Sequence, residues 1–289
     1  MSTNRRDFLK YSSFAALGLS LPFKGKSSFF EGLAPYKGIP AFGIQLWTVK
    51  EDMAKDAKGS LAKIAQYGYK QVESFEGQQG MFWGMKHTEF KKYMDDLGIK
   101  IVSSHCSIAK DFERKAAEAA EIGMKYLICP YLGPQKSIDD FKKYSDDFNK
   151  SGEICKKNGI RFAYHNHDYS FKAINGEVPQ EVMMNSTDKN LVDFEMDIYW
   201  VVAAGEDPKV WFDKHPGRFK LCHIKDLAKT AKGHESVQIG KGTIDFASVL
   251  KAGTARGLQY YIMEQEAFTG TNPLESAEAN GKYLKAFSM

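Results

Sequence analysis

From Phe42 onward, short runs of apolar, β-branched and aromatic residues alternate with longer stretches in which apolar residues recur three and four positions apart. The first pattern predicts strands and the second helices. The strand runs are Phe42–Trp47, Lys70–Phe75, Lys100–His105, Lys125–Pro130, Ile160–His165, Val192–Asp197, Phe219–Ile224 and Gln259–Glu264. Helical spacing between them is carried by sets such as Leu61, Ile64 and Ala65. Five helical stretches close on a glycine suited to a C-cap: Gly68, Gly98, Gly123, Gly159 and Gly257. After each, an apolar strand resumes within two or three residues.

Near-continuous apolar strands joined by helices belong to a parallel sheet covered on both faces. Eight such units, at roughly 30-residue spacing, predict a single-domain α/β fold of the (β/α)8 TIM-barrel type, which takes about 250 residues. A doubly wound sheet is the competing architecture. Its dinucleotide-binding form carries Gly-x-Gly-x-x-Gly after the first strand. Here the first strand runs into Gln45-Leu46-Trp47-Thr48-Val49, with no glycine.

Composition then narrows the function classes. The 289 residues are 43% hydrophobic and 26% charged, which excludes a disordered chain and a membrane-spanning bundle. Of the formal charge of +4, all is accounted for by residues 1–26, where five basic residues face Asp7. The remainder is neutral and offers nucleic acid no electrostatic attraction. Arg5-Arg6 precedes the apolar stretch Phe14 to Phe23, a twin-arginine export pattern too short to cross a hydrocarbon core of about 30 Å. The expected organisation is an export signal over 1–26, a linker over 27–40 and a barrel over 41–289. The expected location is periplasmic, with no membrane association in the mature form. Four cysteines make no disulfide framework.

In a barrel, the C-terminal ends of the strands form the active-site face. The first strand ends on Gln45, Trp47 and Thr48, the second on Glu73 and Glu76, the third on Ser103-Ser104-His105. The fifth ends on His165-Asn166-His167-Asp168, the sixth on Glu195-Met196-Asp197, the seventh on His223-Ile224-Lys225-Asp226, the eighth on Glu264-Gln265-Glu266. The fourth alone ends on bland residues, Cys129 and Pro130. Imidazoles and carboxylates without converging thiolates suit a divalent ion such as manganese, zinc, iron or cobalt. Taken singly, His105 fits a buried histidine bonded to a backbone carbonyl equally well. Glu195 shares a strand face with Asp197, and one of the two is open to pairing with Lys225. His87, His215 and His234 receive no role, and Cys222 reads as a small core residue. No Gly-x-Ser-x-Gly elbow is present, and Gly240-Lys241-Gly242 reads as a turn before a helix starting near Asp245.

The phrases Phe42-Gly-Ile-Gln-Leu-Trp-Thr-Val, Gly68-Tyr-Lys-Gln-Val-Glu-Ser-Phe, Tyr164-His-Asn-His-Asp-Tyr, Met196-Asp-Ile-Tyr-Trp, His223-Ile-Lys-Asp-Leu, Ile239-Gly-Lys-Gly-Thr-Ile-Asp and Ile262-Met-Glu-Gln-Glu resemble the xylose isomerase-like barrels. This superfamily holds sugar phosphate isomerases/epimerases and is also named for endonuclease IV. The resemblance runs from Phe42 to about Phe287. It implies one divalent cation, manganese first, with zinc, cobalt, iron or magnesium as alternatives. It implies the ligands His165, Asp197, His223 and Glu264. The fifth-strand position departs from the pattern, because isomerases and epimerases carry a glutamate where His165 stands. A histidine-rich end of this strand is similar to inosose dehydratases of the same superfamily.

The activity implied is isomerase/epimerase-type chemistry on a keto-sugar through an enediolate. The alternative is a dehydratase or a 3-keto-glycoside lyase or hydrolase. Proton transfer would fall to His105, His167 or Glu266, with Glu73 as a further candidate base. Substrate contacts would come from Gln45, Trp47, Glu73, Trp200 and Lys225. Trp47, Trp83 and Trp200 could stack on a sugar or simply pack the rim. The partner is then a small-molecule sugar or keto-sugar and not nucleic acid. A non-catalytic sugar-binding barrel is disfavoured by the nearly full ligand set, and a DNA-repair endonuclease by the neutral body. If residues 1–26 are an export signal, replacing Arg5 and Arg6 together by lysine traps the protein in the cytoplasm on cell fractionation. Unchanged fractionation would reduce the segment to an ordinary basic arm.

Overall fold

The computed structural model describes Ile39, residues 41–231 and residues 233–289. The export signal expected over 1–26 and, apart from Ile39, the linker expected over 27–40 lie outside the described residues. All eight expected strands form: β1 (Gly43–Gln45), β2 (Gln71–Phe75), β3 (Lys100–His105), β4 (Tyr126–Cys129), β5 (Arg161–His165), β6 (Val192–Asp197), β7 (Phe219–Ile224) and, after a hairpin, β10 (Tyr260–Met263). They close a parallel barrel in the order β1-β10-β7-β6-β5-β4-β3-β2. The first strand is shorter than its apolar run, because Leu46–Val49 turns as a 3-10 helix in which the Gln45 side chain accepts from the Trp47 N–H.

The helices α1 (Lys50–Lys55) and α2 (Ala57–Tyr67) follow β1; α3 (His87–Asp96), α4 (Phe112–Glu121), α5 (Ile138–Lys157) and α6 (Pro179–Ser186) follow β2 to β5. After β6 come α7 (Ile198–Ala203) and α8 (Pro208–Lys214), and α9 (Phe246–Ala255) and α10 (Pro273–Ala286) flank β10. The five expected helix-ending glycines all sit at positive φ, from 67° at Gly98 to 98° at Gly257. That backbone region is open to glycine and costs other residues.

Side chains alternate across each strand. Phe162, Tyr164, Phe194, Met196, Cys222, Ile224, Tyr261 and Met263 join the main core, which lies between the barrel and its helices. Their neighbours turn into the barrel, where Tyr126, Ile128, Ala163 and Leu221 pack as a separate plug with Tyr260. Gly43 leaves room there for Ile262, since a Cβ on it would stand 2.6 Å from Ile262 Cδ1. Burying a large apolar side chain stabilises by about 1.5–3 kcal/mol. The helix-facing layer and the plug therefore carry the fold, and the strand ends above the plug are free to hold polar groups.

One element was not legible in the sequence. Asp226 does not continue β7 into a loop but opens an antiparallel hairpin, β8 (Asp226–Thr230) and β9 (Gly233–Val237). The buried Asp226 carboxylate accepts backbone N–H groups from Leu227 at 2.8 Å, Gly240 and Gly242 at 2.9 Å, and Ile244 at 3.3 Å. Gly240-Lys241-Gly242 is thus a turn wrapped on a carboxylate, and a Cβ at Gly242 would lie 2.2 Å from Asp226 Oδ1. The hairpin also sets the active-site rim, because Ser236 Oγ accepts the N–H groups of Glu266 and Ala267 at 2.9 Å each. Asp226→Ala strands these four donors, and each buried unsatisfied group costs about 1–3 kcal/mol. Urea unfolding should show a loss of about 3 kcal/mol or more; a loss under about 1 kcal/mol would contradict this role.

Candidate metal centre and active-site cavity

Strand register brings the polar ends into one cluster. His165 pairs with Glu195, Asp197 with His223, and His223 with Ile262, two residues before Glu264. His165, Asp197, His223 and Glu264 are all buried and offer donor atoms within 4.8 Å of one another. His165 Nε2 lies 3.2 Å from His223 Nδ1 and 3.4 Å from Asp197 Oδ2. His223 Nδ1 lies 3.1 Å from Glu264 Oε2 and 3.7 Å from Asp197 Oδ2.

The other nitrogen of each ring is already engaged. His165 Nδ1 is 3.2 Å from the Pro130 carbonyl, which can only accept, so Nδ1 carries the proton and Nε2 presents a lone pair. His223 Nε2 is 2.8 Å from Glu73 Oε1, which leaves Nδ1 as the nitrogen facing His165. Imidazoles oriented by a carbonyl and a carboxylate, with their free nitrogens beside two more carboxylates, are the arrangement that holds a divalent ion. The expected four-residue set therefore fits a metal on donor chemistry. The fourth strand, bland by sequence, contributes the Pro130 carbonyl that fixes His165.

Asn166 braces this floor. Its Oδ1 accepts from Asp197 N and its Nδ2 donates to Asp197 O, both at 3.2 Å. Asp197 also caps α7 by accepting from Trp200 N at 3.2 Å. Lys225, fully buried, donates to Asp197 at 3.5 Å, to Glu264 at 3.3 Å and to Glu266. Burial opposes ionisation of Asp197 and Glu264, yet Lys225 and the imidazoles outweigh it and hold both below the usual carboxylate range. The same carboxylates outweigh the effect of burial on Lys225 and raise it. Burial, with the neighbouring His223, lowers His165.

A second group of four lies deeper, on β2, β3, β6 and β7: Glu73, His105, Glu195 and His223. His105 is no carbonyl-bonded histidine; its Nε2 lies 2.8 Å from Glu195 Oε2 and 3.1 Å from Glu73 Oε1. Of Glu195 and Asp197, it is Asp197 that pairs with Lys225, at 3.5 Å. Burial and the Glu73 charge push Glu195 up to about 7. Burial works against the charged form of His105, but Glu73 and Glu195 lift it to about 9. Gln45 and Glu73, expected as substrate contacts, are fully buried; Gln45 Nε2 donates to Glu73 Oε1 at 2.8 Å, and Ser103 Oγ donates to Glu73 Oε2 at 2.6 Å. Neither is among the side chains that line the cavity above the cluster.

Above the cluster opens a cavity of about 640 Å³. Of the expected site residues, Trp47, His105, His165, His167, Glu264 and Glu266 line it. Lys225 and Trp200 stand behind that wall, with Lys225 Nζ 5.0 Å from the Trp200 ring centroid. His167 is stacked on Tyr169, lies 5.3 Å from Trp200, and keeps a buried Nδ1 with no partner among the described residues. Burial and the nearby His165 keep it neutral. The mouth is flanked by the exposed rings of Trp47 and Tyr131, 39% and 58% accessible. Phe75 backs the first, and His167 and Tyr169 back the second. Trp83 packs on Phe75 and is buried, so it is rim support. Tyr131 follows the fourth strand and went unnoticed because a lone aromatic in a loop carries no pattern.

A barrel with these strand ends is that of a known class. Residues 61–287 match the family model of the xylose isomerase-like TIM barrel, and the chain belongs to that family. It is similar to a sugar phosphate isomerase/epimerase from Parabacteroides distasonis ATCC 8503, at 30% identity and a TM-score of 0.74, over 88% of this chain and 96% of that one. It is also similar to the inosose dehydratase of Clostridium perfringens, 29% identical over 166 residues, which is 51% of this chain and 54% of that protein. The chain spans about half the length of the curated relatives it matches. The IOLI protein, with a zinc atom bound, shares the fold at 16% identity and a TM-score of 0.67, over 86% of this chain and 100% of that one.

Proposed function

We propose that this protein is a metal-dependent enzyme that removes a proton next to the carbonyl of a keto-sugar or keto-cyclitol and then expels a β-substituent. The observation that carries this reading is the commitment of His165. Its Nδ1–H is spent on the Pro130 carbonyl and its Nε2 faces the other donors, so no free carboxylate stands at the end of β5. Epimerisation through two opposed carboxylates needs one there. The similarity to inosose dehydratase over half its length supports the same direction.

The ion would be held by His165, Asp197, His223 and Glu264. When bound, it supplies Lewis-acid polarisation of a substrate carbonyl. Glu266, on the cavity wall and paired with Lys225, takes the proton from carbon. The Lys225 ammonium, shared by Asp197, Glu264 and Glu266, keeps that carboxylate fixed. His167 is neutral and lines the cavity, so it is placed to hydrogen-bond the leaving oxygen, which takes back the proton that Glu266 removed from carbon. Trp47 and Tyr131 offer apolar faces for the CH side of a sugar ring. Export through the residue 1–26 signal remains part of this proposal.

General-base catalysis is worth about 10²–10⁴-fold. Glu266→Gln should lower kcat by about that factor while the bound metal is retained. With an inosose in deuterated water, the wild type should form dehydration product faster than any epimer. Interconversion of free ketohexose epimers faster than elimination would overturn the reading and restore two-faced proton transfer.

A further inference from the structure

The deeper quartet has more donor capacity than its protons can use. His105 Nε2 and His223 Nε2 each face the same two oxygens, Glu73 Oε1 and Glu195 Oε2. The four nitrogen–oxygen distances are 3.1 and 2.8 Å from His105, and 2.8 and 3.4 Å from His223. A single N–H can point at one oxygen, not two. Four-coordinate zinc has bonds of about 2.0–2.2 Å, which sets its donors roughly 3.3 Å apart. The quartet is a slightly contracted version of that shell. A second, independent sign is Glu195 itself: it is fully buried, and its Oε1 has no hydrogen-bond partner among the described residues.

We propose that Glu73, His105, Glu195 and His223 Nε2 form a second divalent-cation site, beneath the one expected at His165, Asp197, His223 and Glu264. The chemistry is two imidazoles and two carboxylates, which favours zinc. Because His223 belongs to both groups, one nitrogen serves each site. Loading the inner site displaces the Nε2 protons of both His105 and His223 to solvent, and the resulting His223 imidazolate faces one ion with each nitrogen.

Charge balance accommodates two ions. Four buried carboxylates, Glu73, Glu195, Asp197 and Glu264, share the cluster with one buried ammonium, Lys225. With one ion, a protonated His105 brings the cluster to zero; with two ions, a neutral His105 and the His223 imidazolate do the same. Of the inner donors, His105 alone also lines the cavity, so this ion has no open face for substrate. Its work is to fix the His105 and His223 rings.

The test is a count of zinc per chain by elemental analysis, after saturation and desalting of the full protein. The expected result is two equivalents in the wild type, one in Glu195→Gln and one in Asp197→Asn. One equivalent or fewer in the wild type overturns the proposal. If that one is kept by Glu195→Gln and lost by Asp197→Asn, the inner donors hold protons instead, and the proposed function stands unaffected. Should Glu195→Gln fail to fold, anomalous scattering from zinc-saturated wild-type crystals decides. Two peaks on opposite sides of the His223 ring support the second site, and a single peak on the Nδ1 side overturns it.

Discussion

The accumulation of negative charge out of solvent governs this barrel end. Glu73, Glu195, Asp197 and Glu264 are buried within one cluster, where the rings of His105, His165 and His223 lie with centroids 4.7–5.5 Å apart. Lys225 is the one buried ammonium bonded into it among the described residues. Uncompensated, such a group would cost several kcal/mol per charge. Much of the surrounding architecture supplies partners for it: the Pro130 carbonyl on His165, Ser103 and Gln45 on Glu73, and Asn166 across the backbone of Asp197.

The barrel makes this concentration tolerable by dividing labour along each strand. On β6, Phe194 and Met196 face the helices while Asp193, Glu195 and Asp197 turn inward. Asp193 binds Tyr126 and Arg161 at the opposite end from the metal donors. Between the two polar layers lies the apolar plug around Ile128, Ala163 and Leu221. Stability and chemistry thus occupy different faces of the same residues' strands, as the two-residue period requires.

Sequence carried the fold almost whole. Eight apolar runs and five helix-ending glycines are local signals, and their consequence, a closed parallel barrel, follows from repetition. It carried the types of site residue as well, because strand ends are identifiable by position. What it could not carry was depth. Gln45 and Glu73 stand at strand ends like His165, but they lie under the cavity floor, and nothing in their neighbours along the chain records that. Glu195 was visible on the Asp197 face, yet its true partners, His105 and His223, lie 90 and 28 positions away. The β8–β9 hairpin escaped because its strands are polar and alternate weakly, being held instead by the Asp226 carboxylate.

The proposed chemistry rests on a divalent ion held by His165 together with His223, Asp197 and Glu264. Pulsed electron paramagnetic resonance on protein loaded with one equivalent of manganese(II) tests it most directly, by reading the nitrogens bound to the ion. The account predicts couplings from two imidazoles, falling to one in His165→Gln. Couplings that are absent, or that are unchanged by His165→Gln, would contradict it.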